Sequence, residues 1–280
     1  MAKLTVPSRI VITGASRGIG QATAQLLAQR GHTVILAARD AAALAQVASD
    51  IRAAHGCAEV LPLDLSDDAS VEAAATQLLA RGGCDVLINN AGISDQREFL
   101  VQPEVVRRDE FEVNYWGTLR MTRALLPSFI RRGSGTVVNV SSLLGAVPSC
   151  TTANYSASKA ALEAFSHALR GEVSRFGVEV VVFVAPHTQT EAGNRSKFEG
   201  VRSLPVEYTA TELVRALELG ARYYAASPVY RAILRLARWF PEFIEEKVHA
   251  SARPQLCRDP LAAAEPGRNI VKHEDQIART

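Results

Sequence analysis

The 280-residue sequence is short of net charge, of paired cysteines and of long apolar runs, and each shortage excludes a class of function. A formal net charge of +2, with the arginines scattered rather than blocked, leaves no electrostatic footprint for nucleic acid. A small-molecule partner is expected instead. Cys57, Cys84, Cys150 and Cys257 show no metal-ligand spacing, so no metal site is expected. The start, "MAKLTVPSR", has no signal-peptide stretch, and the cysteines read as reduced thiols of a cytoplasmic protein. No run approaches the roughly 20 apolar residues of a membrane-spanning helix, and no internal repeat is present. What the chain does have is 48% apolar residues, enough for one large core.

Short β-rich runs recur: "RIVIT", "TVILAA", "AEVLPL", "DVLINN", "GTVVNV" and "VEVVVFVA". Between them lie helical patterns at about 18–30, 41–54, 67–81, 103–132 and 153–176. Strands apolar on both faces and alternating with helices imply a parallel sheet covered on both sides, an α/β doubly wound fold. After Pro186 the regularity changes. Residues 187–208 read as a mobile loop or short helices beside the site, a helix near 209–220 and a short strand in "ARYYAAS" complete the sheet, and the domain ends at 227. Residues 228–250 form an amphipathic extension with Val229, Ile233, Leu236, Phe240 and Phe243 or Ile244 on one face, broken or kinked at Pro241. Residues 251–280 read as a polar tail.

The stretch "TGASRGIG" sits between the first strand and first helix. That context makes a glycine-rich turn a phosphate cradle: Gly14 allows the turn, Gly18 lets backbone approach a pyrophosphate, and Gly20 lets the helix pack closely. At the end of the second strand, where an acid would meet a ribose hydroxyl, "LAARD" places Arg39. Arg39, with Arg17 from the turn, suits a 2′-phosphate, so NADP(H) is the expected cofactor over NAD. Asp40 is read either as the cap of the following helix or as a ribose ligand.

Tyr155 and Lys159 in "NYSASKAAL" lie four apart on one helical face. A neighbouring ammonium favours a phenolate, and moving a tyrosine from about 10 to about 7 needs roughly 4 kcal/mol. Ser142 ends the strand "GTVVNVSS", where its hydroxyl can meet a substrate carbonyl oxygen. Asn114 stands inside a helical stretch that gives asparagine no intrinsic advantage.

With "TGASRGIG", "NNAG" at 89–92, Asn114, Ser142 and "YSASK" in that order, the chain resembles the short-chain dehydrogenase/reductase family over about residues 8–190. The resemblance implies a Rossmann-type single domain and a catalytic tetrad of Asn114, Ser142, Tyr155 and Lys159, with Tyr155 as acid and Asn114 holding a water that connects Lys159 to solvent. It also implies that Asp64 and Leu65 lie near the adenine, that Ser16 and Ile19 belong to the glycine turn, and that Asn90, Ala91 and Gly92 line the cofactor. Lys159 would hold the nicotinamide ribose, and Asn89 would tie neighbouring strands. Pro186, Thr188 and Thr190 match the family's pattern after the sixth strand, whereas His187 stands where glycine is usual. A homodimer or homotetramer through the long helices is implied as well.

The expected pocket is closed by 187–208 and bounded by Leu143, Leu144, Cys150, Thr151 and the carboxy-terminal helix, which suits a lipophilic ketone or aldehyde. Arg231, Arg235 and Arg238 face either water or anionic lipid, which leaves peripheral membrane contact open. A 3-oxoacyl-thioester reductase and a non-catalytic NADP-sensing module are the competing readings.

Overall fold

The computed structural model describes residues 7–195, 197–257 and 259–260. The first half alternates β1 (Arg9–Thr13), α1 (Gly18–Gln29), β2 (Thr33–Ala38), α2 (Ala41–Ala53), β3 (Cys57–Pro62), α3 (Asp68–Ala80) and β4 (Val86–Asn89). Then come α4 (Glu104–Phe111), α5 (Thr118–Arg132), β5 (Gly135–Ser142), the single turn α6 (Leu143–Ala146), α7 (Ala153–Val173) and β6 (Val178–Ala185). The chain closes with α8 (Glu191–Arg195), α9 (Val206–Glu218), β7 (Tyr223–Ala225), α10 (Pro228–Trp239) and α11 (Pro241–Ala252). The seven strands form one sheet in the order β3-β2-β1-β4-β5-β6-β7, and every pairing is parallel.

Side-chain alternation along the strands divides the core in two. Ile10 and Ile12 of β1 face Leu27 of α1, Leu44 of α2 and Leu213 of α9, while Val11 joins Leu78 of α3, Phe129 of α5 and Leu169 of α7 on the other face. Both faces are therefore covered, which is why the strands read as unbroken apolar runs. The strand order reverses between β1 and β4, and the crevice beyond their carboxyl ends is where a doubly wound sheet holds ligands. Asn89 ties this region together, donating to Asn139 Oδ1 at 2.8 Å and Thr122 Oγ1 at 3.0 Å.

Three local readings change. The helix expected over 103–132 is interrupted by a π-helical turn, Glu112–Gly117. The wider winding brings the bare Cα of Gly117 against Leu65; a Cβ there would stand 2.3 Å from the Leu65 carbonyl oxygen. The last helix expected over 153–176 ends at Val173 and finishes as a 3-10 turn over Ser174–Phe176 before Gly177 at φ +73°. In the extension Pro241 breaks the helix outright: Phe240 leaves helical geometry at φ −133°, ψ 61°, and Pro241 begins α11, where its missing N–H costs nothing. Of the polar tail, Ser251 and Ala252 complete α11 and Arg253–Gln255 form a 3-10 turn; residue 258 and residues 261–280 lie outside the described part.

Replacing Gly117 with alanine forces Leu65 and the π turn apart. An overpacking cost of about 1–3 kcal/mol is expected in a chemical denaturation series.

Candidate active site

The turn after β1 is built so that backbone alone fills it. Gly14 at φ +67° and Gly18 at φ +58° occupy conformations that side chains resist. Gly20 lies behind them: a Cβ there would meet the Gly14 carbonyl oxygen at 2.3 Å and Asn90 Nδ2 at 2.6 Å. Asn90 holds the corner from the other side, donating through Nδ2 to the Thr13 carbonyl at 3.0 Å, while its own N–H and that of Ala91 both donate to Thr13 Oγ1 at 3.0 Å. No side chain caps the start of α1, so its first N–H groups stay available to an anion. An open cradle, an uncapped helix start and the adjoining space fit a dinucleotide.

That space is a cavity of about 1780 Å³, larger than the 300–1,000 Å³ of typical small-ligand pockets. It runs from Gly14, Ser16, Arg17, Gly18 and Ile19 past Arg39, Asp64 and Leu65 to Asn90, Ala91 and Gly92. Beyond them it reaches Ser142, Tyr155, Lys159 and the segment Pro186, His187, Thr188 and Thr190. Two expected site residues do not line it. Gly20 packs behind the turn, since its lack of a Cβ serves the helix–turn approach and not the ligand. Asn114, fully buried, sits in the π turn behind Gly92. Its Oδ1 accepts the Ile93 N–H at 2.8 Å, and its Nδ2 donates to the Ile93 carbonyl at 2.9 Å and to Ser158 Oγ at 3.1 Å. The amide is thus a clamp on the loop after β4.

Ser142 ends β5 and caps α6, its Oγ accepting the Leu144 N–H at 3.3 Å, and it is hydrogen-bonded to the Tyr155 phenol. Lys159, one turn along α7, donates Nζ to the Val140 carbonyl at 2.9 Å, 5.9 Å from the Tyr155 ring centre. A Cβ on Gly92 would come within 3.3 Å of that Nζ, so the glycine leaves the ammonium its place. Burial lowers Lys159 to about 8, against the opposing charge of Glu163. In the structure burial raises Tyr155, the Ser142 hydrogen bond offsets part of this, and the Glu110 charge adds to it; the expected acidification draws on a bound oxidised nicotinamide as well as on Lys159. Desolvation of the phenolate outweighs the Ser142 hydrogen bond.

Two carboxyls near this group escaped the sequence reading. Glu110 of α4 is fully buried and accepts the Asp95 N–H at 2.7 Å, Asn154 Nδ2 at 2.8 Å and Gln102 Nε2 at 3.2 Å. Burial pushes its carboxyl up, while these three donors pull it back; a group met only by donors is held as carboxylate. Glu163, one turn beyond Lys159, accepts Ser141 Oγ at 2.6 Å and the Tyr223 hydroxyl at 3.3 Å, and burial raises it too. The spacing of Glu163 from Lys159 was a usable signal; Glu110 looked like any acid in a polar helix start.

On the substrate side Leu143, Leu144, Tyr230, Ile233 and Val248 line the cavity. Cys150 and Thr151 do not. The Cys150 N–H donates to His249 Nδ1 at 3.0 Å, holding α11 to this loop, and Thr151 is buried at φ +68°, its hydroxyl accepting Gln96 Nε2 at 3.1 Å. His187 needs no left-handed backbone. Its N–H donates to the Tyr230 hydroxyl at 3.0 Å, its ring meets Phe198 edge-on at 5.7 Å, and burial lowers its imidazole. It is a wall of the cavity.

Comparison with known proteins agrees with this geometry. The family model described as short chain dehydrogenase matches residues 8–199. A dehydrogenase/reductase SDR family member 7B of Danio rerio is 36% identical over 188 residues, 65% of this chain and 61% of that one. A fatty acyl-CoA reductase of Acinetobacter baylyi is 36% identical over 214 residues, 74% of this chain and 72% of that one. The match thus spans about three-fifths of the first of these relatives. A metagenomic short-chain oxidoreductase solved with NADP superposes with a TM-score of 0.69 at 31% identity, covering 79% of this chain and 97% of that one. A Burkholderia phymatum structure holding NAD, 24% identical, shares the fold.

Replacing Glu110 with glutamine removes a negative charge that raises the Tyr155 phenol. In an ultraviolet titration of tyrosinate, read as the difference from a Tyr155→Phe background, the Tyr155 phenol is expected to ionise at lower pH; an unchanged ionisation would show that the charge does not reach Tyr155.

Proposed function

Because this chain belongs to the short chain dehydrogenase family, we propose that it is an NADP(H)-dependent oxidoreductase moving hydride between nicotinamide and a carbonyl or secondary alcohol, with lipophilic ketones and aldehydes as its substrates. One observation carries the reading: Ser142, Tyr155 and Lys159 converge at the far end of the cavity that begins at the glycine turn. A bound nicotinamide supplies the hydride. The turn and the start of α1 hold the pyrophosphate, Asp64 and Leu65 lie at the adenine end, and Lys159 holds the nicotinamide ribose. Ser142 and Tyr155 donate hydrogen bonds to the substrate oxygen, and Tyr155 gives its proton as charge develops there. A phenol raised by burial is protonated at neutral pH, which suits reduction. Lys159, charged below about pH 8, resupplies the proton.

The preference for NADP(H) rests on two cations. Arg39 follows β2 at the cavity wall, and Arg17 lines the same cavity from the glycine turn. Arg17 also pairs with Glu191 at 2.9 Å, but both side chains are half exposed and the pair is weak. Asp40 is engaged elsewhere, its Oδ1 accepting the Ala43 N–H at 2.9 Å as the cap of α2. The apolar wall of Leu143, Leu144 and Ile233 supports the lipophilic substrate class. An acyl thioester is the second reading, favoured by the name of the Acinetobacter relative; turnover with acyl-carrier substrates separates the two. We place the enzyme in the cytoplasm, its four cysteines free, as a homodimer or homotetramer joined through α4, α5 and α7.

Tyr155→Phe is expected to lower carbonyl-dependent NADPH oxidation by about 10²–10⁴-fold while NADPH fluorescence titration is unchanged. A near-native rate would remove Tyr155 as the acid, and NADPH binding without oxidation on any carbonyl would make the chain a sensor. Arg39→Ala is expected to weaken NADPH roughly tenfold or more and leave NADH nearly unaffected; tighter NADH binding by the native chain would reverse the assignment.

A further inference from the structure

α10 carries three stripes, and the reaction uses only one. Tyr230, Ile233 and Leu234 turn inward, lining the cavity or packing on Val182 and Val184. A second stripe at helical spacing, Val229, Leu236 and Trp239, faces outward together with Phe240 and, from α11, Phe243. These five are 64%, 46%, 78%, 59% and 61% exposed, although a monomer surface rarely gathers large apolar side chains this way. Beside it runs the third stripe, Arg231, Arg235 and Arg238, all exposed. Arg231 lies over the Tyr224 ring. Arg235 and Arg238 enter no ion pair among the described residues, and α10 contains no acid at all.

We propose that this face of α10, with the corner at Phe240–Phe243, seats on an anionic lipid surface. An apolar stripe bordered by arginines whose stems can lie along it is the pattern of a helix resting in a membrane interface, with a tryptophan at its edge. The charge selects the occupant. A second copy of the chain docked through the same patch about a two-fold axis would set one arginine row near the other, whereas acidic headgroups neutralise it. The acids that could oppose this are Glu242, Glu245 and Glu246 of α11; Glu246 pairs with Arg253 at 2.6 Å and Glu245 bonds to His249 Nε2 at 3.1 Å, and the cations Arg231, Arg235, Arg238, Lys247 and Arg253 outnumber them. Val229 belongs both to the exposed stripe and to the cavity wall, so the face adjoins the mouth of the site.

The proposal stands apart from the reading of the reaction, because binding is measured without turnover. The full chain is sedimented with phosphatidylcholine vesicles and with vesicles that also contain phosphatidylglycerol. Preferential binding to the mixed vesicles, reversed by salt, is expected. Arg235→Glu with Arg238→Glu should weaken it about tenfold or more, and Trp239→Ser should weaken it in the same direction. In a Trp116→Phe background, Trp239 emission should shift to the blue on adding mixed vesicles. Unchanged NADPH titration shows that the variants are folded. No sedimentation with mixed vesicles, or equal binding by the arginine and tryptophan variants, overturns the proposal. So does a dimer that Trp239→Ser dissociates while vesicles are ignored, which would assign the face to a second copy.

Discussion

The contact among Gly14, Gly20 and Asn90 is the constraint from which the site follows. At the point where β1 and β4 diverge, the turn, the helix and the loop after β4 meet with only the Asn90 amide between them, and a Cβ on Gly20 would stand 2.3 Å from the Gly14 oxygen. The closeness has two effects. It leaves the start of α1 bare toward the crevice, and it fixes the loop carrying Gly92, behind which Asn114 and Lys159 lie. The glycine turn and the Asn114–Lys159 cluster are therefore two sides of one backbone contact.

At the other end of the crevice, burial and charge oppose one another. Desolvation lifts the Tyr155 phenol and depresses the Lys159 amine, so each group is moved toward its neutral form. Glu110 and Glu163 bring carboxyl groups into the same interior, each met by hydrogen bonds from neighbouring elements. The pair to which we assign the proton transfer is thus set within a ring of polar contacts from α4, β5 and β7, and its protonation depends on that ring as much as on the pair itself.

The carboxy-terminal helices join the cavity to the surface. α11 is fastened to the loop before α7 through His249 and Cys150, and α10 supplies Tyr230, whose hydroxyl accepts the His187 N–H. The histidine found where the family usually has glycine is accommodated in ordinary backbone geometry, its ring stacked edge-on against Phe198.

Much of this was legible along the chain, because strand periodicity, glycine spacing and the Tyr–Lys interval are local properties. The apolar runs determined a covered parallel sheet, the turn "TGASRGIG" its cradle, and Pro241 the end of α10, each for a reason contained within a few residues. Tertiary structure alone decided the rest. That Asn114 hydrogen-bonds Ile93 and Ser158, that Cys150 meets His249 and does not line the pocket, and how burial moves the Tyr155 phenol all depend on groups distant in sequence. A side chain's desolvation and hydrogen-bond partners are set by what packs around it, and its own segment does not contain that information.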